Sequence, residues 1–423
     1  MNPSRSLSSH LVLFFALMLS AVLGCGKGCS KGALPFVARE THVIVADSGA
    51  QARGKELVQK FECNRCHDGL TEVAEYPRNR HCVHCHLDVL ENKIQASPEK
   101  LAAWKKNVEG LHEVPSLLAT NARLRREWIA AFIRKPHDLR PRLSPTMPRL
   151  GMTAEEANDI AAYLSPHAEN ESAEVLRGAD MLHGKSVFEE KGCATCHSFS
   201  GAGNLKLVPY SPMLPENEHA RAMHLAPDLR DSRDKLTPER ALAWVTNPKS
   251  IKSDTSMPTL LLSEVERRNV VAFILGTPLA EAPKPTFSRL PVLERRVTFD
   301  EVNGRVFHKI CWHCHSNQDL EVFGDGGPGN TGGLGFAARG LDLGSFAGIQ
   351  SGIRQKGSGE RMSAFTLLED RTPLLLRALL NRHSEEAGAA TGEVRGMPLG
   401  YAPLSAEDIQ LVESWIAQGR PRQ

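Results

Sequence analysis

The sequence predicts an all-α fold made of three consecutive related units, and three observations carry that expectation. A Ser/Thr-x-x-Asp/Glu box recurs at Thr153/Glu156, Ser263/Glu266 and Ser405/Asp408. Such a box satisfies the free backbone N–H groups at a helix start. Behind each box, apolar residues follow at helical spacing, as in Ala157, Ile160, Ala161 and Leu164, or Ile409, Val412 and Ile416. Finally, no long alternating apolar–polar run argues for strands.

The units are legible as internal repeats. GKELVQKFECNRCH from Gly54 aligns without gaps to GKSVFEEKGCATCH from Gly184. LHEVPSL from Leu111 matches MHLAPDL from Met223, and PTMPRLGMTAEEANDIAAYL matches TSMPTLLLSEVERRNVVAFI. The third unit keeps only the two ends, GRVFHKICWHCH and RGMPLGYAPLSAEDIQLVESWI. In order, each unit opens with a short helix (Leu57, Val58 and Phe61; Val187 and Phe188; Val306, Phe307 and Ile310). It closes with a Met-Pro pair (Met147, Met257, Met397) leading into the capped helix. Between units, the polar stretch 165–178 and the proline-rich stretch 276–291 read as spacers.

The 423 residues suffice for about two to four ordinary domains. A formal charge of +2 and the lack of a basic block point away from nucleic acid. At the N-terminus, Arg5 precedes the apolar run 11–23, too short to span a bilayer comfortably but suited to a signal-peptide core. Val22-Leu23-Gly24-Cys25 resembles a bacterial lipobox, in which the cysteine carries lipid. The expectation is an exported chain tethered through Cys25 on the periplasmic side of a bacterial membrane, with Gly26 in second position favouring the outer membrane. Cys29 has no assigned role.

Eight of the ten cysteines fall in four C-x-x-C-H pentapeptides: Cys63/Cys66/His67, Cys82/Cys85/His86, Cys193/Cys196/His197 and Cys311/Cys314/His315. The first two pairs, spaced C-x2-C-x15-C-x2-C, also fit a zinc ribbon. A histidine directly after each pair is what c-type haem attachment needs: two thiols bond the macrocycle and the adjacent imidazole takes the iron. A zinc ribbon does not need that histidine, and the third and fourth motifs stand alone, with no second pair to complete a zinc site. The expected cofactors are therefore four covalent haem c groups.

On these motifs the first two units resemble class I cytochrome c domains. WIAAFIRKPHDLRPRLSPTMP and WVTNPKSIKSDTSMP look like the segment leading to that family's sixth-ligand methionine, and Pro115 and Pro227 fit its proline near the proximal histidine. The third unit, through GGLGFAARGLDLGSFAGI, TPLLLRALL and the Met397 segment, is similar to the planctomycete-type cytochrome c domain. With the N-terminus read as a signal peptide at 1–24 and a tether at 25–50, the resemblance implies a dihaem domain at 51–165 and a monohaem domain at 178–277. A proline-rich linker at 278–296 and a second monohaem domain at 297–421 follow.

A methionine thioether opposite histidine raises haem potential and suits electron transfer. Met147, Met257 and Met397 are the candidate sixth ligands. Met147 serves haem one by the gapless match before Cys63, yet His86 to Met147 spans 61 residues against 60 from His197 to Met257, so haem two remains open to it. Otherwise His81, His84, His112, His42 or His137 would complete haem two. The functional expectation is an electron relay between redox partner proteins. The alternative is a peroxidase-like haem enzyme using an open second haem, which requires acid–base groups on its distal side. A haem-based sensor would need a signalling domain, and none is visible.

Overall fold

The computed structural model describes residues 48–108, 112–137, 139–143, 147–167, 172–208, 214–316, 332–389 and 391–423. Residues 1–47, which include the expected signal peptide, Cys25, Cys29 and His42, lie outside the described residues, as do Leu111 and 317–331. The chain is mostly helical; the described strands are one short antiparallel pair, Ile353–Arg354 with Arg361–Met362. Among the described residues, no helix is long and apolar enough to cross a membrane.

The helices that position the motifs are α1 (Ser48–Lys60), α2 (Cys82–Leu90), α3 (Pro98–Val108), α4 (Arg126–Arg134), α5 (Ala154–Leu164), α6 (Met181–Glu190), α7 (Glu216–Leu225), α8 (Pro238–Thr246), α9 (Glu264–Gly276), α10 (Leu374–Glu386) and α11 (Ala406–Ala417). Among the described residues, buried apolar residues form three clusters. One gathers Val58, Phe61, Ile129, Ile133, Ala157, Ile160 and Ala161. The second centres on Val187, Phe188, Phe199, Val271 and Phe273. The third is built on Phe299, Phe307, Leu376, Ile409, Val412 and Trp415.

In the first two clusters the opening helix crosses the closing helix at glycine. A Cβ on Gly54 of α1 would lie 2.0 Å from the Asp159 carbonyl oxygen of α5, and one on Gly184 of α6 would lie 2.0 Å from the Asn269 carbonyl oxygen of α9. Only a residue without a side chain permits backbones this close. The neighbouring polar pair is exchanged between units. Arg53 donates twice to Asp159 at 2.8 Å, whereas Asn269 Nδ2 donates to His183 Nδ1 at 2.8 Å and its Oδ1 accepts from Asp180 N at 2.9 Å.

The third unit departs from this plan. Its opening segment, Asn303–Cys311, is π-helical, and a Cβ on Gly304 would meet nothing within 4 Å. The aligned glycine is therefore not a crossing point. The capping boxes differ likewise. Thr153/Glu156 and Ser263/Glu266 make both reciprocal bonds. Asp408 donates its N–H to Ser405 Oγ at 3.1 Å, but its carboxylate accepts from Arg305 Nε at 2.7 Å.

The units lean on one another. The Leu334 N–H donates to Glu62 Oε2 at 3.0 Å, and Leu334 and Phe336 pack on the first core. Arg149 reaches the third unit twice, through its N–H to the Leu399 carbonyl at 3.2 Å and through Nη2 to Glu386 at 3.0 Å. Between the first and second units, the Arg125 N–H donates to the Lys235 carbonyl at 3.0 Å, and the Arg240 guanidinium donates to the carbonyls of Leu124 (2.9 Å) and Asn121 (2.7 Å).

Candidate haem sites

Each motif closes through its own backbone. The N–H of His67 donates to Cys63 O at 3.0 Å, that of His197 to Cys193 O at 3.0 Å, and that of His315 to Cys311 O at 2.9 Å. The second motif is the first turn of α2. One helical turn returns the two thiols and the imidazole to a common side, as two-point attachment plus ligation requires. In the first and third motifs, the turn is entered through left-handed backbone at Glu62 (φ 52°) and Gly192 (φ 71°). All eight motif cysteines are free of disulfides.

The proximal imidazoles of the first and third motifs are oriented identically. His67 Nδ1 pairs with the Pro115 carbonyl at 2.8 Å, and His197 Nδ1 with the Pro227 carbonyl at 2.9 Å. A carbonyl partner makes Nδ1 the protonated nitrogen, so Nε2 keeps its lone pair for a metal. Burial holds both imidazoles below their ordinary pKa, against the opposing pull of the carbonyl. These residues fit covalent haem: free thiols one turn apart, and an imidazole held in the ligating tautomer. The expected prolines act through their backbone oxygens.

Of the methionines, Met257 has the most defined setting, with the Trp244 indole N–H donating to its sulfur at 3.0 Å. Counting back from Pro136 and Pro248 puts Phe132 in the place of Trp244, so the residue corresponding to the donor in unit one has no N–H. Met147 and Met397 are partly buried against the first and third cores.

The histidines weighed for haem two have other partners. His81 caps α2, its Nδ1 accepting from His84 N at 3.3 Å. Its ring stacks on His84 at 3.8 Å, and each Nε2 is 3.3 Å from the Asp68 carboxylate. His112 Nε2 is 3.6 Å from Glu113, and His137 Nε2 is 3.6 Å from Asp231.

Side chains of three motifs converge. Cys66, beside Cys82, pulls Cys82 down to about 7 with help from Arg65, while Cys66 is pushed up. Burial pushes Cys314 up to about 11, with Cys82 also acting on it. It likewise pushes Tyr401 up to about 12, beside Cys314, Cys82 and Cys66. His313, inside the fourth motif, stands with its ring centre 6.3 Å from that of His86, the planes 42° apart. Sequence reasoning missed His313 because 227 residues separate it from His86 and no local pattern joins them.

Near the third motif, Lys235 lies 5.7 Å from the Trp128 ring centre. Burial and Arg123 push its ammonium down to about 8, and Arg140 adds to the repulsion.

No curated protein and no solved structure matches the chain. A family model described as Cytochrome c matches residues 182–278, which hold the third motif, Pro227, Trp244 and Met257. The match supports a c-type cytochrome, in which this segment carries covalent haem c and serves haem-based electron transfer.

Proposed function

We propose that the chain is a tetrahaem c-type cytochrome of three tandem domains that relays electrons in the bacterial cell envelope. The observation that carries this reading is the convergence of the first, second and fourth motifs, with His313 of the fourth 6.3 Å from His86 of the second and Cys66 of the first beside Cys82. Haems held by such motifs would lie close enough for electrons to pass between them inside one chain. When bound, haem supplies reversible one-electron chemistry at iron. Cys63/Cys66, Cys82/Cys85, Cys193/Cys196 and Cys311/Cys314 would hold the four groups, and His67, His86, His197 and His315 would each ligate one iron.

The protein's part is orientation and electrostatics. The Pro115 and Pro227 carbonyls fix the ring tautomer of two ligands. Met147, Met257 and Met397 would supply thioethers, which favour the ferrous state. Arg123, Arg140 and Lys235 form a cationic group whose mutual repulsion haem carboxylates would offset. Three separate apolar clusters fit the three-domain reading. Residues 11–25 support export and lipid attachment at Cys25, with redox proteins as partners; Cys25→Ala leaving lipid mass and membrane fractionation unchanged would reject the anchor.

The relay is tested by treating the reduced protein with carbon monoxide and the oxidised protein with peroxide. A relay of six-coordinate haems binds no carbon monoxide and turns over no peroxide. Rapid binding with peroxidase turnover would instead establish a haem enzyme with an open iron.

A further inference from the structure

The second motif shares its unit, and that unit's one Met-Pro methionine, with the first motif, and the structure brings to it a residue from another unit. The His86 and His313 ring centres are 6.3 Å apart. Two imidazoles on opposite sides of one metal stand at a fixed spacing. Two metal–nitrogen bonds of about 2 Å, plus about 1 Å from each nitrogen to its ring centre, sum to about 6 Å. Direct stacking is much closer, as in the 3.8 Å of His81 on His84. The observed spacing fits a ligand pair; tilted ring contacts such as Phe188 with Phe199, at 6.1 Å, share it, so the placement of His313 in its motif carries the distinction.

The position of His313 in its motif agrees. At about 100° per residue, Cys311, Cys314 and His315 share one side of a helical turn, and of the two residues between the cysteines the second, His313, points to the other. His313 therefore turns away from the haem its neighbours hold. What it turns towards is the first unit, against which the third is fastened by Leu334 to Glu62 and by Arg149 to Leu399 and Glu386. His84, by contrast, is two residues from His86 on the same helix and cannot face it.

We propose that His313 is the sixth ligand of haem two, opposite His86, so that one iron is shared by the first and the last unit of the chain. This rests on the tetrahaem reading. It leaves Met147 to haem one. It also makes haem two a bis-histidine centre of lower potential than its methionine-ligated neighbours, since the thioether raises potential and imidazole does not.

The test uses the full-length haem-loaded protein and its His313→Ala and His313→Met variants. Haem count by intact mass comes first, then EPR, carbon monoxide binding and a spectroelectrochemical titration. His313→Ala should keep four haems, lose the bis-histidine EPR signal and open one haem of four to carbon monoxide, with added imidazole restoring the low-spin signal. His313→Met should keep that haem six-coordinate, add one methionine-to-iron charge-transfer band and raise one midpoint. Four haems with an unchanged bis-histidine signal and no carbon monoxide binding in His313→Ala would overturn the ligation and leave the tetrahaem reading standing. A wild-type chain with no haem on the second motif would overturn both. A His313→Met variant with neither a new band nor a shifted midpoint also counts against it.

Discussion

Gly184 offers a sharp test of how the second unit is packed. A Cβ placed there lies 2.0 Å from a backbone oxygen of α9 and 2.9 Å from the Phe273 Cβ. The carbonyl belongs to a helix and cannot rotate aside, so Gly184→Ala must part α6 and α9 by about 1 Å or more in a close-packed core. Overpacking of this kind costs about 3 kcal/mol, and alanine returns about 1 kcal/mol of helix propensity, leaving a net loss of about 2 kcal/mol. Gly304→Ala is the control, because its Cβ meets nothing within 4 Å. It should be neutral, or more stable by up to about 1 kcal/mol. Three separate cores need not melt together, so a single melting curve would blur the effect. Hydrogen exchange by peptide resolves it. Amides of α6 and α9 should exchange about thirtyfold faster in Gly184→Ala, while those of α10 and α11 stay unchanged. Equal effects of Gly184→Ala and Gly304→Ala, or slow exchange retained in α6 and α9, would refute the crossing argument.

Three further outcomes follow from the same geometry. Met257→Ala should open one haem of four to carbon monoxide and lower that haem's potential, since the thioether favours ferrous iron; a full charge-transfer band with no carbon monoxide binding would remove Met257 as a ligand. Trp244→Phe, which deletes the N–H at 3.0 Å from the Met257 sulfur, should lower the same midpoint while keeping the iron six-coordinate. An unmoved midpoint in that variant would deny the hydrogen bond a tuning role. Glu266 is held down to about 2 by the Ser263 backbone N–H and hydroxyl and by Lys191. Its folded pKa is depressed, so its contribution is present above the unfolded pKa near 4.5 and is lost as pH falls towards 2. Accordingly, Glu266→Gln should destabilise α9 at pH 7 and converge on wild type at low pH, read by exchange of the α9 amides. A difference that grows on acidification would reverse the argument.

What the sequence made legible is what repeats locally. The two complete capping boxes are periodic patterns that local chemistry enforces, and both make their reciprocal bonds. The same alignment placed Gly54 and Gly184 in register but could not say that they touch α5 and α9, because a crossing is a contact over about a hundred residues. It also extended the rule to Gly304, where the π-helical segment and the redirected Asp408 carboxylate show a differently built unit. The Trp244 to Met257 bond lies within one unit and follows from the turn after Pro248; a polar aromatic set shortly before a Met-Pro pair was the available signal. His313 had no signal of that kind, since its partner belongs to the other end of the chain and only the packing of the third unit on the first brings them together.

The haem content of the full-length protein tests most directly whether all four motifs carry haem in one chain. Intact mass together with the haem-to-protein ratio should give four covalently held haems that acid–acetone does not extract. Two haems with a zinc ion on Cys63, Cys66, Cys82 and Cys85, or any count below four, would contradict the tetrahaem reading.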